Sequence, residues 1–251
     1  MTRTLTLTHY GEMDISRLDE MPPGRQPIDT RVLSVERLAE VVDGLARHIA
    51  AGGQGYWVCP LVEESETSDR AAAEARAEAL KLRFGEKIGL VHGRMKGPDK
   101  DAVMQRFQEG ELSILVATTV IEVGVDVPNA TLMIIENAER FGLAQLHQLR
   151  GRVGRGAQHS VCLLLRGDAL SETARARLAL MRETNDGFRI AEEDLRLRGA
   201  GEILGVRQSG EAQFRLATPE HVTSLIQFAT DDARLLVDRD GGLEEKRGKA
   251  A

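Results

Sequence analysis

The sequence predicts an α/β fold, a parallel sheet with helices on both faces, followed by a small helical appendage. Three observations carry this reading. Short apolar runs rich in β-formers alternate with helical patterns up to Arg166, as expected of a parallel sheet buried on both sides. Beyond Arg166 only helical patterns remain. The 251 residues, 42% hydrophobic and 29% charged, suit one large domain or a medium domain with an appendage, and they exclude a chain unfolded throughout.

The elements follow in order. Residues 1–30 are polar and end in MPPGRQP, where Pro22, Pro23 and Pro27 disfavour helix and predict an extended lead-in. SVERLAEVVDGLARHIAAGG sets Leu38, Val41, Val42, Leu45 and Ile49 at helical spacing, with Gly52 and Gly53 as the stop. QGYWVCPLV is short and apolar, a buried strand. The same logic makes DRAAAEARAEALKLRFG a helix, KIGLVHG a strand, DKDAVMQRFQEG a helix and SILVATT a strand. It then makes TLMIIENA a strand, LAQLHQLRGRVGR a helix and SVCLLLR the last strand. SETARARLALMRETND and DGFRIAEEDLRLRG read as two helices joined near residues 185–187. GEILGVRQSGEAQF reads as a loop, and TPEHVTSLIQFATDDARLLV as a helix capped by Thr218. The charged tail from Asp238 is expected to fray. The division is thus a lead-in over 1–30, an α/β domain over 31–166, and a helical hairpin, loop and C-terminal helix over 167–251.

Several function classes are excluded. No apolar run approaches the roughly 20 residues that span a bilayer, and the N-terminus lacks the basic and apolar regions of a signal peptide, so a cytoplasmic protein is expected. The net charge is 33 − 39 = −6. It does not advertise nucleic-acid binding, although local basic patches matter more than the sum. Cys59 and Cys162 both lie in apolar runs and read as buried reduced thiols rather than metal ligands. Neither a G-x-x-x-x-G-K-[ST] phosphate loop nor a G-x-G-x-x-G dinucleotide motif occurs.

Two stretches carry candidate chemistry. On a helical wheel of AQLHQLRGRVGRG, Leu146, Leu149 and Val153 share one face, and Gln148, Arg152 and Arg155 share another. The apolar face can pack on the sheet while two guanidiniums project together, suited to bidentate contact with phosphate oxygens. Gly151 and Gly154 weaken such a helix, which a close approach of ligand or backbone would explain. From spacing alone, a basic solvated helix end accounts for the stretch equally well. In LVATTVIEVGVDVPNA a strand ends at Thr118 and Thr119, and a loop then presents Glu122, Gly124 and Asp126. Ligands of open α/β sheets gather at such carboxyl ends. Alone, this stretch reads as an ordinary connection.

Together the two stretches resemble motifs V and VI of superfamily two helicases. The wider resemblance runs through YGEMDISRLDEMPPGRQPI, QGYWVCPLVEESE, VHGRM, FGLAQLHQLRGRVGRG and TNDGFRIAEEDLRLRGAGEILGVRQSG. The last of these resembles the helical hairpin and loop known as the translocation motif, shared by RecG-type helicases and transcription-repair coupling factors. MPPGRQPI and VCPLVEESE resemble the RecG type. The resemblance implies a RecA-like sheet, the second of two motor domains. It also implies a fragment, since family members place a wedge domain and a first RecA-like domain, with the Walker motifs, ahead of this segment.

What the resemblance implies for the residues is specific. Arg152 and Arg155 match the arginines that stabilise charge on the transferred phosphoryl group, and Gln148 the polar position beside them. Gly124 and Asp126 match positions at the ATP cleft. Thr118 matches a hydroxyl on the DNA backbone, and His92, Gly93 and Arg94 occupy a loop facing the same strand. Arg198 and Gln208 are the implied coupling residues of the hairpin. The alternative for Arg198 is a surface ion pair with Glu193 or Asp194. ATP with Mg²⁺ is the implied cofactor, the metal ligands coming from the first motor domain. Branched double-stranded DNA and the two preceding domains are the implied partners, with no membrane. The expected function is remodelling of stalled forks and Holliday junctions, with the segment inactive by itself. Two alternatives stand beside it: the motor segment of a transcription-repair coupling factor, and a non-catalytic nucleic-acid-binding module.

Overall fold

The computed structural model describes residues 26–60, 66–118, 127–154, 156, 158–203 and 219–240. The described residues fall into two compact units, one within Glu20–Ile190 and one within Ala191–Ala251.

The first unit contains β1 (Asp29–Ser34), α1 (Leu38–Ala50), β2 (Gln54–Val58), α2 (Glu66–Phe84), β3 (Ile88–Val91) and α3 (Gly97–Gln108). It continues with β4 (Ile114–Ala117), β5 (Ala130–Ile135), α4 (Leu143–Arg150), β6 (Val161–Arg166) and α5 (Glu172–Glu183). A further helix, α6 (Gly187–Ile203), follows, and the second unit also contains α7 (Pro219–Arg239). The six strands are all parallel, in the order β1-β6-β5-β2-β4-β3. This is the α/β fold that the alternation predicts.

Burial follows from position. Central β2, β4 and β5 are buried at every residue, so YWV of β2, ILVA of β4 and LMII of β5 run apolar without alternating. On one face Trp57, Ile114, Val116 and Ile134 pack with Val41 and Leu45 of α1 and Ala73, Ala77 and Leu80 of α2. On the other, Tyr56 meets Phe107 of α3 in a tilted ring pair, centroids 5.1 Å apart. Among the described residues no helix is long and apolar enough to cross a membrane.

The structure departs from the sequence reading at three places. Residues 29–34 form β1, where the lead-in was expected to have ended as extended chain. Pairing with β6 over Asp29–Ser34 supplies the hydrogen bonds. The helix read through LAQLHQLRGRVGR stops at Arg150. Gly151, Arg152 and Val153 instead form tight turns, Arg152 N–H to Leu149 O at 3.0 Å and Val153 N–H to Arg150 O at 3.2 Å. Finally α6 runs on to Ile203, taking in the first residues of the stretch read as a loop.

Gln54, 5% exposed, shows how one polar side chain joins layers. Its amide donates to Phe107 O at 2.6 Å and to Leu112 O at 2.8 Å, closing the end of α3 onto the start of β2. Gln54→Leu removes both bonds and is expected to lower stability by about 1–3 kcal/mol. Urea unfolding should show a lower midpoint with an unchanged slope. An unchanged midpoint would show that these bonds contribute nothing.

Candidate functional site

The expected site residues gather at two places. The first is the carboxyl ends of β3 and β4, where Val91 and Ala117 are register partners and Thr118 N–H donates to Val91 O at 3.3 Å. His92 and Thr118 therefore emerge side by side, about 4.8 Å apart across neighbouring strands. A turn closed by Met95 N–H on His92 O at 3.1 Å then presents Gly93 and Arg94 to solvent. Thr118 is 2% exposed, yet its Oγ1 has no hydrogen-bond partner among the described residues, and neither has His92 Nδ1. Buried polar atoms are nearly always paired. Two such atoms thus stand on adjacent strand ends, beside the exposed Arg94.

The second place is the end of α4. Gln148 is exposed on the helix and Arg152 is half-buried in the turn after it, while Leu149 and Val153 are buried. The common face expected for Gln148 and Arg152 does not exist as a helix face, because the helix ends between them. Gly154 has φ +73°, and a Cβ there would lie 2.8 Å from Ile28 Cγ1 and 3.7 Å from Ser160 Cβ. Ile28 and Ser160 precede β1 and β6, so the arginine turn lies at the amino ends of these strands. The structure thus places Thr118 and His92 at one edge of the sheet and Arg152 at the other. Arg155, Gly124, Asp126 and Gln208 lie outside the described residues. Arg198 belongs to α6, with its side chain outside the description; Glu193 pairs with Arg196 at 2.7 Å.

Sequence reasoning passed over Arg150. This side chain is 2% exposed, and its Nη1 donates to Met181 O and Thr184 O, each at 2.8 Å, and to Thr30 Oγ1 at 3.4 Å. Burial pulls its pKa down, although arginine stays charged. The signal was available: Arg150 stands four residues after Leu146, on the inward face of the helix, where a charge demands an explanation. Arg177 was also missed. Its guanidinium donates to Phe141 O at 2.8 Å and Glu139 O at 3.0 Å, fixing α5 to the loop after β5.

A third polar cluster closes the carboxyl ends of β2 and β5. Arg76 Nε pairs with Glu136 Oε1 at 2.6 Å, lies over the Trp57 ring at 5.4 Å, and Cys59 Sγ donates to Glu136 Oε2 at 3.8 Å. Both cysteines are free and buried. Among the described residues no group of three or more His, Cys, Asp or Glu side chains is placed to hold a metal ion.

The comparisons with known proteins divide the chain similarly. Residues 35–157 match the Helicase conserved C-terminal domain, and residues 184–248 match the model for ATP-dependent DNA helicase RecG, domain 3, C-terminal. The chain is 58% identical over 217 residues to the ATP-dependent DNA helicase RecG of Escherichia coli K12, covering 86% of this chain and 31% of that protein. It is 52% identical over 239 residues to its counterpart in Acidithiobacillus ferridurans, covering 95% and 35%. A solved structure of RecG bound to a three-way DNA junction matches with TM-score 0.69 and 43% identity, over 90% of this chain and 29% of that one. The chain therefore spans 31–35% of the length of these relatives.

The thiols yield a test of the site's surroundings. Burial pushes Cys162 up to about 12, opposed by the neighbouring Arg150. Burial, helped by the Glu136 carboxylate and opposed by Arg76, pushes Cys59 up to about 12. Against the ordinary thiol value of 9.0, the native state binds more protons between 9 and 12. Stability is therefore full below 9 and falls as pH rises through that window. The urea midpoint should decline there, and the Cys59→Ala, Cys162→Ala double variant should decline less; equal slopes would exclude the thiols as the cause. With both family models matched in order over a RecA-like parallel sheet, the chain carries a helicase conserved C-terminal domain followed by the C-terminal part of RecG domain 3.

Proposed function

We propose that the chain is the second motor domain and helical hairpin of an ATP-dependent DNA helicase that remodels branched duplex DNA. The observation that carries the reading is the division of the site between two edges of one sheet. The edge with Thr118 and His92 offers unpaired polar atoms and Arg94, groups that hold a phosphate backbone in position without reading its sequence. The edge with Arg152 also carries the exposed Gln148, four residues earlier on the helix, and a guanidinium and an amide are groups that suit nucleotide phosphates. A motor needs these two contacts to be separate, so that turnover at one shifts position at the other. The match to the RecG domain 3 model and the RecG structure on a three-way DNA junction support branched DNA as the substrate.

In this reading a preceding motor domain supplies the phosphate loop and the Mg²⁺ ligands, and ATP binds between the two domains. Bound there, the nucleotide would supply the phosphoryl group and the metal would neutralise its charge. Arg152, with Arg155, faces the charge that develops on that group, and Gln148 orients beside it. Thr118, with the His92–Arg94 turn, engages the DNA backbone, while Gly124 and Asp126 complete the cleft and Arg198 and Gln208 act in coupling.

In the full-length protein, Arg152→Ala should lower kcat for DNA-stimulated ATP hydrolysis by about 10³-fold, the scale of a lost arginine finger. Fork binding, measured by anisotropy, should stay within a few-fold, because a transition-state contact acts on turnover rather than on ground-state affinity. Equal losses in both would make Arg152 a structural or DNA residue.

Thr118→Val isolates the other edge. The hydroxyl has no described partner to lose, so the near-isosteric change should leave the melting temperature unchanged or raise it. The DNA concentration for half-maximal ATPase stimulation should rise about fivefold or more, as for one lost hydrogen bond to a charged group. A drop in melting temperature without that rise would assign Thr118 to the core.

A further inference from the structure

The carboxyl ends of four neighbouring strands lie level. Val91 of β3, Ala117 of β4, Val58 of β2 and Ile135 of β5 are register partners in turn. The residues that follow continue the row. Thr118 N–H donates to Val91 O at 3.3 Å, Cys59 N–H to Ala117 O at 2.8 Å, and Glu136 N–H to Val58 O at 2.9 Å. His92 and Thr118 therefore share a line with the end of β5, which lies three strand spacings from β3, about 14 Å. Beyond Glu136, Asn137 takes the left-handed region at φ 43° and ψ 51° and leads into a single 3-10 turn, Ala138–Arg140. Ala138 and Phe141 are buried there, whereas Arg140 between them is exposed.

The main chain on both sides of Arg140 is fixed. The Arg177 guanidinium donates to Glu139 O at 3.0 Å and to Phe141 O at 2.8 Å, and Arg140 N–H donates to Asn137 O at 2.9 Å. The nearby carboxylates are engaged elsewhere, Glu139 Oε2 accepting from Gly167 N–H at 3.2 Å and Glu136 pairing with Arg76 at 2.6 Å. Arg140 itself has no hydrogen bond or ion pair among the described residues. An exposed arginine is ordinarily a solvated charge on mobile chain. Here a left-handed non-glycine residue and two carbonyls held by one guanidinium fix the backbone that presents it, and conformations of that kind persist where the surroundings enforce them.

We propose that Arg140 is a further contact residue for the DNA backbone, a phosphate-binding cation at the far end of the row from the His92–Arg94 turn. The inference rests on the motor reading above and extends its backbone edge from β3 and β4 to β5. The span suits the ligand. About 14 Å is roughly four base-pair rises of 3.4 Å, so Arg94 and Arg140 reach separate phosphates. Glu136, which lies between them, is neutralised by Arg76 and does not repel a phosphate. A planar guanidinium on fixed main chain can take a phosphate through two parallel hydrogen bonds, with less ordering cost than one on a mobile loop. Such a contact reads no bases.

The test uses the full-length protein and follows DNA-stimulated ATP hydrolysis on a synthetic fork while DNA and KCl concentrations are varied. At low salt, Arg140→Gln should raise the DNA concentration for half-maximal stimulation about fivefold or more, as for one lost hydrogen bond to a charged group. The slope of log apparent affinity against log KCl concentration should become shallower by about 0.9, the share of one phosphate contact. The kcat at saturating DNA should stay within twofold, and the melting temperature should not change, since the side chain is exposed. Arg140→Lys, which keeps the charge, should keep the wild-type slope. An unchanged half-maximal concentration in Arg140→Gln overturns the proposal. So does weaker stimulation with the wild-type slope, because the lost contact is then not to phosphate. A fall in kcat with an unchanged DNA dependence also overturns it, and would assign Arg140 to the nucleotide or to a neighbouring motor domain. A wild-type protein whose ATP hydrolysis is not stimulated by forked DNA would overturn the motor reading itself, a result distinct from each of these.

Discussion

A guanidinium that is 2% exposed and held by three uncharged oxygens is the constraint on which this end of the molecule depends. Burying a charge without compensation costs several kcal/mol even after relaxation. Here the compensation comes from the carboxyl end of a helix. Met181 O and Thr184 O are carbonyls that a terminating helix leaves unpaired, at the end where its dipole is negative. Helix and cation each solve the other's problem. Pulling α5 from α4 would strand a buried charge and two carbonyls at once, so the elements keep one relative position. The Arg177 contacts to Phe141 O and Glu139 O apply the same device farther along α5, again to main-chain oxygens. Together they make α5 part of the sheet's own packing.

Between the two edges lies a sheet whose three central strands are buried throughout. Close-packed interiors deform little and pass strain on as a unit. Thr118 at the carboxyl end of β4 and the arginine turn at the amino ends of β1 and β6 are thus two fixtures on one rigid plate. Under the motor reading, contact with the DNA backbone moves with the plate as a whole. The hairpin has a more direct link, because its start sits at the same edge as the arginines. The Arg76–Glu136 pair over Trp57 stiffens the carboxyl end of the sheet, tying α2 to the end of β5.

The fold was legible because parallel strands buried on both faces are continuously apolar, as in TLMII of β5 and YWV of β2, and helices punctuate them. β1 was not, because Asp29, Arg31 and Ser34 dilute its pattern and three prolines shortly before it suggest plain extended chain. Its strand character comes from pairing with β6, a partner more than 100 residues away that no local window reveals. The end of α4 was misjudged for a related reason. Helical periodicity continues formally through Val153, and Val153 is buried as the wheel requires. A tight turn that follows a helix, however, can bury the same residue. Arg150 escaped notice because charged residues are usually solvated, while Arg152 drew attention because its chemistry is recognisable. The two edges of the site could not be separated in sequence at all, since their distance is set by strand order rather than by spacing.

The early stop of α4 has a physical consequence for the arginine beside it. Had the helix continued, Arg152 would have stood on the face of Gln148 and Arg155, solvated and free to sample rotamers. Instead Gly151 closes the last turn, its N–H bonded to His147 O at 3.0 Å, and Gly154 turns the chain with a φ that side chains rarely adopt. Arg152 lies between a buried Arg150 and a buried Val153, so its backbone is anchored on both sides. The missing Cβ at Gly154 admits Ile28 against the turn, and Ile28 in turn accepts the amide of Asn185. Each glycine weakens the helix locally, yet the contacts it permits hold the backbone at Arg152 more firmly than a helical turn exposed to water could. Pre-organisation of this kind favours a charged group that must meet developing charge without first rearranging.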